Sequence, residues 1–195
     1  MEYPAIHQYM LRKLELELPT NLYYHGVHHT VDVLESAGRI AIAEKLTEGD
    51  FILLQTAVLL HDAGYIERYN DNEIIACDMA RQILPGFDYN AGQIDLICGL
   101  IMATAVDFEP QTHLQQVICD ADHDYFGRAD YKRIAATLYR ELTEYGRSYN
   151  EREWVLKQIH FLTARHKYYT AFALREREPG KQKNIRKLQE KLEGL

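Results

Sequence analysis

No stretch of this chain approaches eighteen consecutive apolar residues, so no segment is expected to cross a bilayer. The opening MEYPAIHQYMLRKLELE is charged throughout and has no apolar leader core, so a secretion signal is not expected either. Cysteine is scarce. Cys77, Cys98 and Cys119 are widely spaced inside apolar runs, with no Cys-x-x-Cys pair. That pattern argues against a disulfide framework and for reduced, buried thiols, hence a cytoplasmic protein. Sustained period-two alternation between hairpin turns is also missing, so no strands are expected. Positive charge is in deficit. A net charge of −7 argues against a nucleic-acid partner held by bulk electrostatics. The one basic segment, 175–195, reads as a solvated amphipathic helix.

What the chain does have is helical period. At 195 residues it is long enough for one domain with a real core, and 47% hydrophobic with 26% charged residues is ordinary for such a domain. Residues 31–46 place apolar side chains at spacings of three and four, and FILLQTAVLL (51–60) is apolar nearly all round, as a central buried helix would be. Start signals recur. Asn70, Asn90, Thr112 and Asn150 each stand three residues before a Glu or Gln and just ahead of an apolar run. Gly49, Gly86 and Gly146 read as helix ends. The last third reads as helices at about 130–145, 151–176 and 181–193, with Pro179-Gly180 separating the last two. The expected fold is all-α: a single domain of roughly eight helices over residues 1–195.

Histidine and aspartate carry the chemistry. YYHGVHHTVDV (23–33) holds His25, His28 and His29. If that stretch is helical, His25 and His29 share a face, and His28 points about 100° away from His29. LLHDAGY (59–65) sets His61-Asp62 at the end of an apolar run. A carboxylate there costs several kcal/mol, on the order of a lost ion pair, unless something meets it. CDADHDYFG (119–127) adds Asp120, Asp122 and Asp124. The glycine and closing glutamate of a calcium-binding loop are missing from it, which excludes an EF-hand. Two imidazoles and two carboxylates from separate helices would cage one divalent ion and leave coordination positions for water and substrate.

The ordered blocks YHGVHHTVDV, AVLLHDAGY and ICDADHDYFG resemble those of the HD-domain metal-dependent phosphohydrolases, over a motif core of about 20–130, with C-terminal helices at 130–195. The resemblance implies a helical bundle around one divalent ion (Mn, Mg, Fe, Co, Ni or Zn). His29, His61, Asp62 and one Asp of the third block would hold it. The family's usual Ala-Asp selects Asp122, with Asp120 as the fallback. His25 is similar in placement to the leaving-group acid of the cyclic-nucleotide phosphodiesterases. The implied catalytic residues are therefore His25 and Asp62, Asp62 also accepting from the attacking water. Asn72 and Thr104 stand where two-metal members carry further histidines, which implies a single ion, with Glu73 left to act as an outer-shell base or to hold a water. Arg128, Arg165 and Lys167 are candidates for phosphate contact. The implied substrate is a small-molecule phosphate mono- or diester, a nucleotide being the leading candidate. The alternative is a non-catalytic metal- or nucleotide-binding regulatory module. A homo-oligomer is left open.

Overall fold

A computed structural model describes all residues, Met1–Leu195. Ten α-helices and several single-turn elements make up the fold, with no strand. The helices are α1 (Tyr3–Glu17), α2 (Val27–Ala43), α3 (Glu48–Leu60), α4 (Asn72–Ile83), α5 (Ala91–Ala103), α6 (His113–Asp122), α7 (Tyr131–Glu144), α8 (Glu151–His160), α9 (Ala171–Glu176) and α10 (Glu178–Glu193).

Helix α3 is the hub. Every residue from Leu53 to Leu60 is buried, because α1, α2, α4, α5 and α6 all pack against it. The all-round apolar character read in 51–60 is the signature of that position. Ile6, Met10 and Leu14 of α1, Val33, Ala37 and Ile40 of α2, and Ile97 and Ile101 of α5 close one continuous core around it. A second, aromatic cluster lies under α7–α10. Tyr24, Tyr125, Phe126, Tyr131 and Tyr168 form it with Leu162 and Ile185.

Three of the four start signals are realised as reciprocal caps. Asn90 with Gln93, Thr112 with Gln115, and Asn150 with Glu153 each exchange side-chain and backbone bonds at the starts of α5, α6 and α8. The fourth is not. Asp71, in a left-handed conformation at φ 54°, precedes α4 and makes no side-chain cap, while Asn70 accepts a bond from Arg147. Gly49 lies inside the first turn of α3 rather than at an end, whereas Gly146 follows α7 at φ +77°.

The span 151–176 is not one helix. After α8 the chain makes a π-turn over Phe161–Arg165, runs extended to Thr170, and starts again as α9. The cause is distant in sequence. The buried Asp120 carboxylate accepts the backbone N–H of Tyr169 at 3.0 Å and of Thr170 at 2.7 Å. Those amides are thereby taken from any helical ladder. Pro179 and Gly180 open α10 instead of separating two helices, since proline is tolerated in a first turn. Gly180 also has to be glycine. A Cβ there would stand 1.9 Å from the carbonyl oxygen of Gly127, so α10 can lie directly on the turn that follows α6.

Candidate metal centre

Three helix ends meet at the site. His29 sits in the first turn of α2, His61 and Asp62 follow the last residue of α3, and Asp122 ends α6. His25 lies outside the helix expected around it. Gly26 is the residue before α2, and His25 precedes it in a bend of the chain. Nonetheless His25 and His29 keep a ring separation of 6.0 Å, and Tyr24 lies against both rings.

The donor atoms of His29, His61 and Asp122 all lie within 4.8 Å of one another. Asp62 Oδ2 is 3.5 Å from His29 Nε2 and 3.2 Å from His61 Nε2. His29 Nε2 is 3.0 Å from Asp122 Oδ1. Two of these buried atoms, His61 Nε2 and Asp62 Oδ2, have no hydrogen-bond partner. Leaving buried polar groups unsatisfied costs about 1–3 kcal/mol each, more when charged. The two orphans lie 3.2 Å apart, and a divalent cation between them would satisfy both at once. The residues therefore fit one ion.

Their surroundings support the fit. His61 Nδ1 donates to the carbonyl of Val58 at 2.8 Å, which leaves Nε2 as the nitrogen facing the cluster. Asn72 Nδ2 donates to Asp62 Oδ1 at 3.4 Å and holds the carboxylate with Oδ2 turned inward. Asn72 can come so close because Gly64 has no side chain. A Cβ on Gly64 would stand 1.9 Å from the Asn72 carbonyl oxygen. Burial alone would lower the pKa of His61, but the negative charges of Asp62 and Asp122 push it up to about 9. Burial would raise Asp122, yet His123, His29 and His61 hold it well below the usual carboxylate range. With protein charges alone, imidazolium and carboxylate stabilise one another here. A bound cation would supply that positive charge in their place.

Asp120 and Asp122 are separated by their surroundings. Asp120 turns away from the cluster to the backbone of Tyr169 and Thr170, and burial raises its pKa to about 6 against those hydrogen bonds.

Asp62 and Asp122 line a cavity of about 660 Å³, with His25 and His123, while His29 and His61 stay behind them, out of the lining. Tyr65, Tyr69, Tyr125 and Phe161 give it aromatic walls, and Arg147, Lys157 and Arg165 bring positive charge. Glu73 and Thr104 line it too. Burial and the charges of Asp62 and Asp122 raise the pKa of Glu73. Thr104 Oγ1 donates to the Ile101 carbonyl at 2.8 Å. A groove of about 800 Å³ between α7, α8 and α10 lies beside this cavity and shares Tyr131, Ala135, Trp154 and Gln158 with it.

The three proposed phosphate contacts have different fates. Arg165 lines the cavity and pairs with exposed Asp107. Arg128 does not line it. Its guanidinium is taken up by Asp32 at 2.7 Å, Asp130 at 3.0 Å and Asp124 at 3.5 Å. Lys167 is exposed, pairs with Glu109 at 2.7 Å, and is likewise not part of the lining. His28 also stays out of the lining.

One residue at the site gave no signal in the sequence. Glu141, on α7, is fully buried and accepts the backbone N–H of Tyr24 at 2.7 Å and of His25 at 3.0 Å, as well as the Tyr69 hydroxyl at 3.0 Å. His25 Nδ1 makes a short hydrogen bond to the same carboxylate. A lone Glu on an amphipathic helix reads as solvent-facing, and only the tertiary fold reveals its donors.

Comparison with protein families settles the kinship. The HD domain family profile matches residues 26–125, just over half of the chain, and spans all four clustered residues. This chain belongs to the HD domain family. No curated protein and no solved structure matches it. HD domains are typically metal-dependent hydrolases, and the His/Asp cluster of this one is a group that could hold a metal. No helix is long and apolar enough to cross a membrane.

Proposed function

We propose that this HD domain is a metal-dependent phosphohydrolase that cleaves a small phosphate mono- or diester, with a nucleotide as the leading class. The observation that carries the reading is the pair of partnerless buried atoms, His61 Nε2 and Asp62 Oδ2, 3.2 Å apart beside a cavity that Asp62 and Asp122 line. His29, His61, Asp62 and Asp122 would hold one divalent ion. When bound, such an ion acidifies a water and neutralises phosphoryl charge. Asp62, beyond holding the ion, can accept a hydrogen bond from the attacking water and orient it. His25, on the cavity wall, would give its proton to the leaving oxygen. Arg165 would face the phosphoryl oxygens, at the expense of its pairing with Asp107. The aromatic walls offer stacking faces to a base, and 660 Å³ is within the usual range for small-molecule sites.

A second reading has one observation in its favour. Asn72 and Thr104 occupy positions where further ligands would be needed for a bridged metal pair, and both side chains are spent on hydrogen bonds. A one-ion site of this kind would also serve a regulatory module that binds a nucleotide without turning it over.

Metal analysis of the untreated protein, followed by a panel of Mn, Mg, Co, Ni, Fe and Zn against mononucleotides, cyclic nucleotides and generic esters, separates the two. Phosphate or alcohol release that is lost in Asp62→Ala supports the enzyme. Stoichiometric nucleotide binding without release supports the module.

A further inference from the structure

We propose that Glu141 is the positioning residue for His25: its carboxylate holds the imidazole by Nδ1 and leaves Nε2 as the nitrogen that delivers a proton to the leaving group. The inference rests on the phosphohydrolase reading and adds to it a residue from α7, which lies beyond the family-matched segment 26–125.

Glu141 is a costly residue to bury. Its neighbours on α7, Tyr131, Ala135 and Leu142, are the kind of side chain the interior accepts. A fully buried carboxylate is tolerated only with donors around it. Four meet this one, and both oxygens are used. Oε2 takes the backbone N–H of Tyr24 and His25, while Oε1 takes His25 Nδ1 and the Tyr69 hydroxyl.

The two backbone bonds alone would suffice to fix the approach to α2. The imidazole bond does something more. It fixes which nitrogen of His25 carries a proton at the rear, and it turns the opposite nitrogen away from Glu141. His25 lines the cavity that holds Asp62 and Asp122, and the Tyr65 ring, 4.4 Å away centre to centre, restricts its rotation. Buried carboxylate, oriented imidazole and reacting oxygen would then act in series, with only His25 touching substrate.

The step balances with one water. Its oxygen forms the new bond to phosphorus as the old P–O bond breaks. The leaving oxygen keeps that electron pair and takes the proton from His25 Nε2. The proton released by the water restores His25, and Glu141 stays ionised throughout.

The test compares two leaving groups. In Glu141→Gln the amide oxygen can still take the two backbone N–H groups, but the amide NH₂ then faces Nδ1, so the ring loses its Nδ1 proton and with it the imidazolium form that can give up a proton from Nε2. General-acid contributions are about 10²–10⁴-fold, so kcat on an ester of an aliphatic alcohol should fall at least about 30-fold. The p-nitrophenyl ester, whose leaving group needs no proton, should change less than about threefold. Metal content should be unchanged. His25→Ala should show the same selectivity, and the double variant should be no worse than His25→Ala alone. An equal loss on both esters, or no loss on either, overturns the proposal.

A second readout needs no turnover and no folded Glu141 variant. In the zinc-loaded wild type, the ¹⁵N spectrum of the imidazoles, with the His25 signals identified by their absence from His25→Gln, should show the proton fixed on Nδ1. A His25 lacking a proton on Nδ1 overturns the positioning role. Wild-type protein that hydrolyses no ester with any metal overturns the phosphohydrolase reading, and proton delivery with it. The spectrum still decides separately whether Glu141 holds the ring.

Discussion

Asp122 and Asp124 are two residues apart, both lie well inside the protein, and the fold treats them in opposite ways. Asp124 is 1% exposed and receives Arg177 Nε at 2.6 Å, Arg39 Nη2 at 3.4 Å and Arg128 Nη1 at 3.5 Å. The chain supplies all the positive charge that carboxylate needs. Asp122 has no arginine or lysine partner. Imidazoles surround it, with an orphaned carboxylate oxygen nearby. Asp120, one step earlier, is answered by backbone amides. Alternate aspartates thus get three different answers: amides, a candidate cation site and arginines. A buried charge that the protein neutralises itself holds the fold together, whereas one left for an external ion marks a site.

The contrast can be broken by substitution. The largest effect is expected at the metal end. Asp62→Ala should lower metal content from about one ion per chain to below about a tenth, and turnover by about 10³-fold, read by metal analysis and phosphate release. Chelation should lower the melting temperature of the wild type and leave that of Asp62→Ala unmoved, because an ion at 100 times its Kd adds about 2.7 kcal/mol. Asp124→Ala should do the reverse. It leaves three arginines without their shared partner, so urea unfolding should show a loss of about 3 kcal/mol while metal content stays near wild type.

Arg128 and Arg165 sharpen the same comparison among cations. Arg165→Ala should raise KM by about three- to tenfold with an unchanged melting temperature. Arg128→Ala should cost about 1–2 kcal/mol of stability with KM unchanged, because its partners are carboxylates of the fold. The smallest effect belongs to the backbone-answered residue. Asp120→Asn keeps one acceptor for two amides, so a loss of about 1 kcal/mol is expected, together with faster proteolytic cleavage within 166–170. Cleavage there at the wild-type rate would show that Asp120 does not hold that segment.

Much of this was legible in the sequence because its signals are local. The reciprocal caps at Asn90, Thr112 and Asn150 depend on residues three apart, and the apolar run of α3 states its own burial. The ordered His, His-Asp and Asp blocks pointed to residues that the fold does bring together. Apart from Gly49 and Pro179-Gly180, which open helices instead of ending or separating them, the missed features depend on partners far along the chain. Asp120 breaks the helical reading of 151–176 from about fifty residues away. Arg128 looks like a free cation until Asp32, ninety-six positions earlier, is beside it. Asn70 has the composition of a cap, but Arg147 takes its side chain and Asp71 turns left-handed in its place. Periodicity and spacing carry no information about such pairings.

Asp120 and Asp122 share the last turn of α6, and their carboxylates point in different directions. The peptide 166–170 is therefore moored to the same helical turn that helps form the ion's seat. A tug on one mooring must be felt at the other, so whatever loosens the tail of the molecule should also loosen its grip on metal.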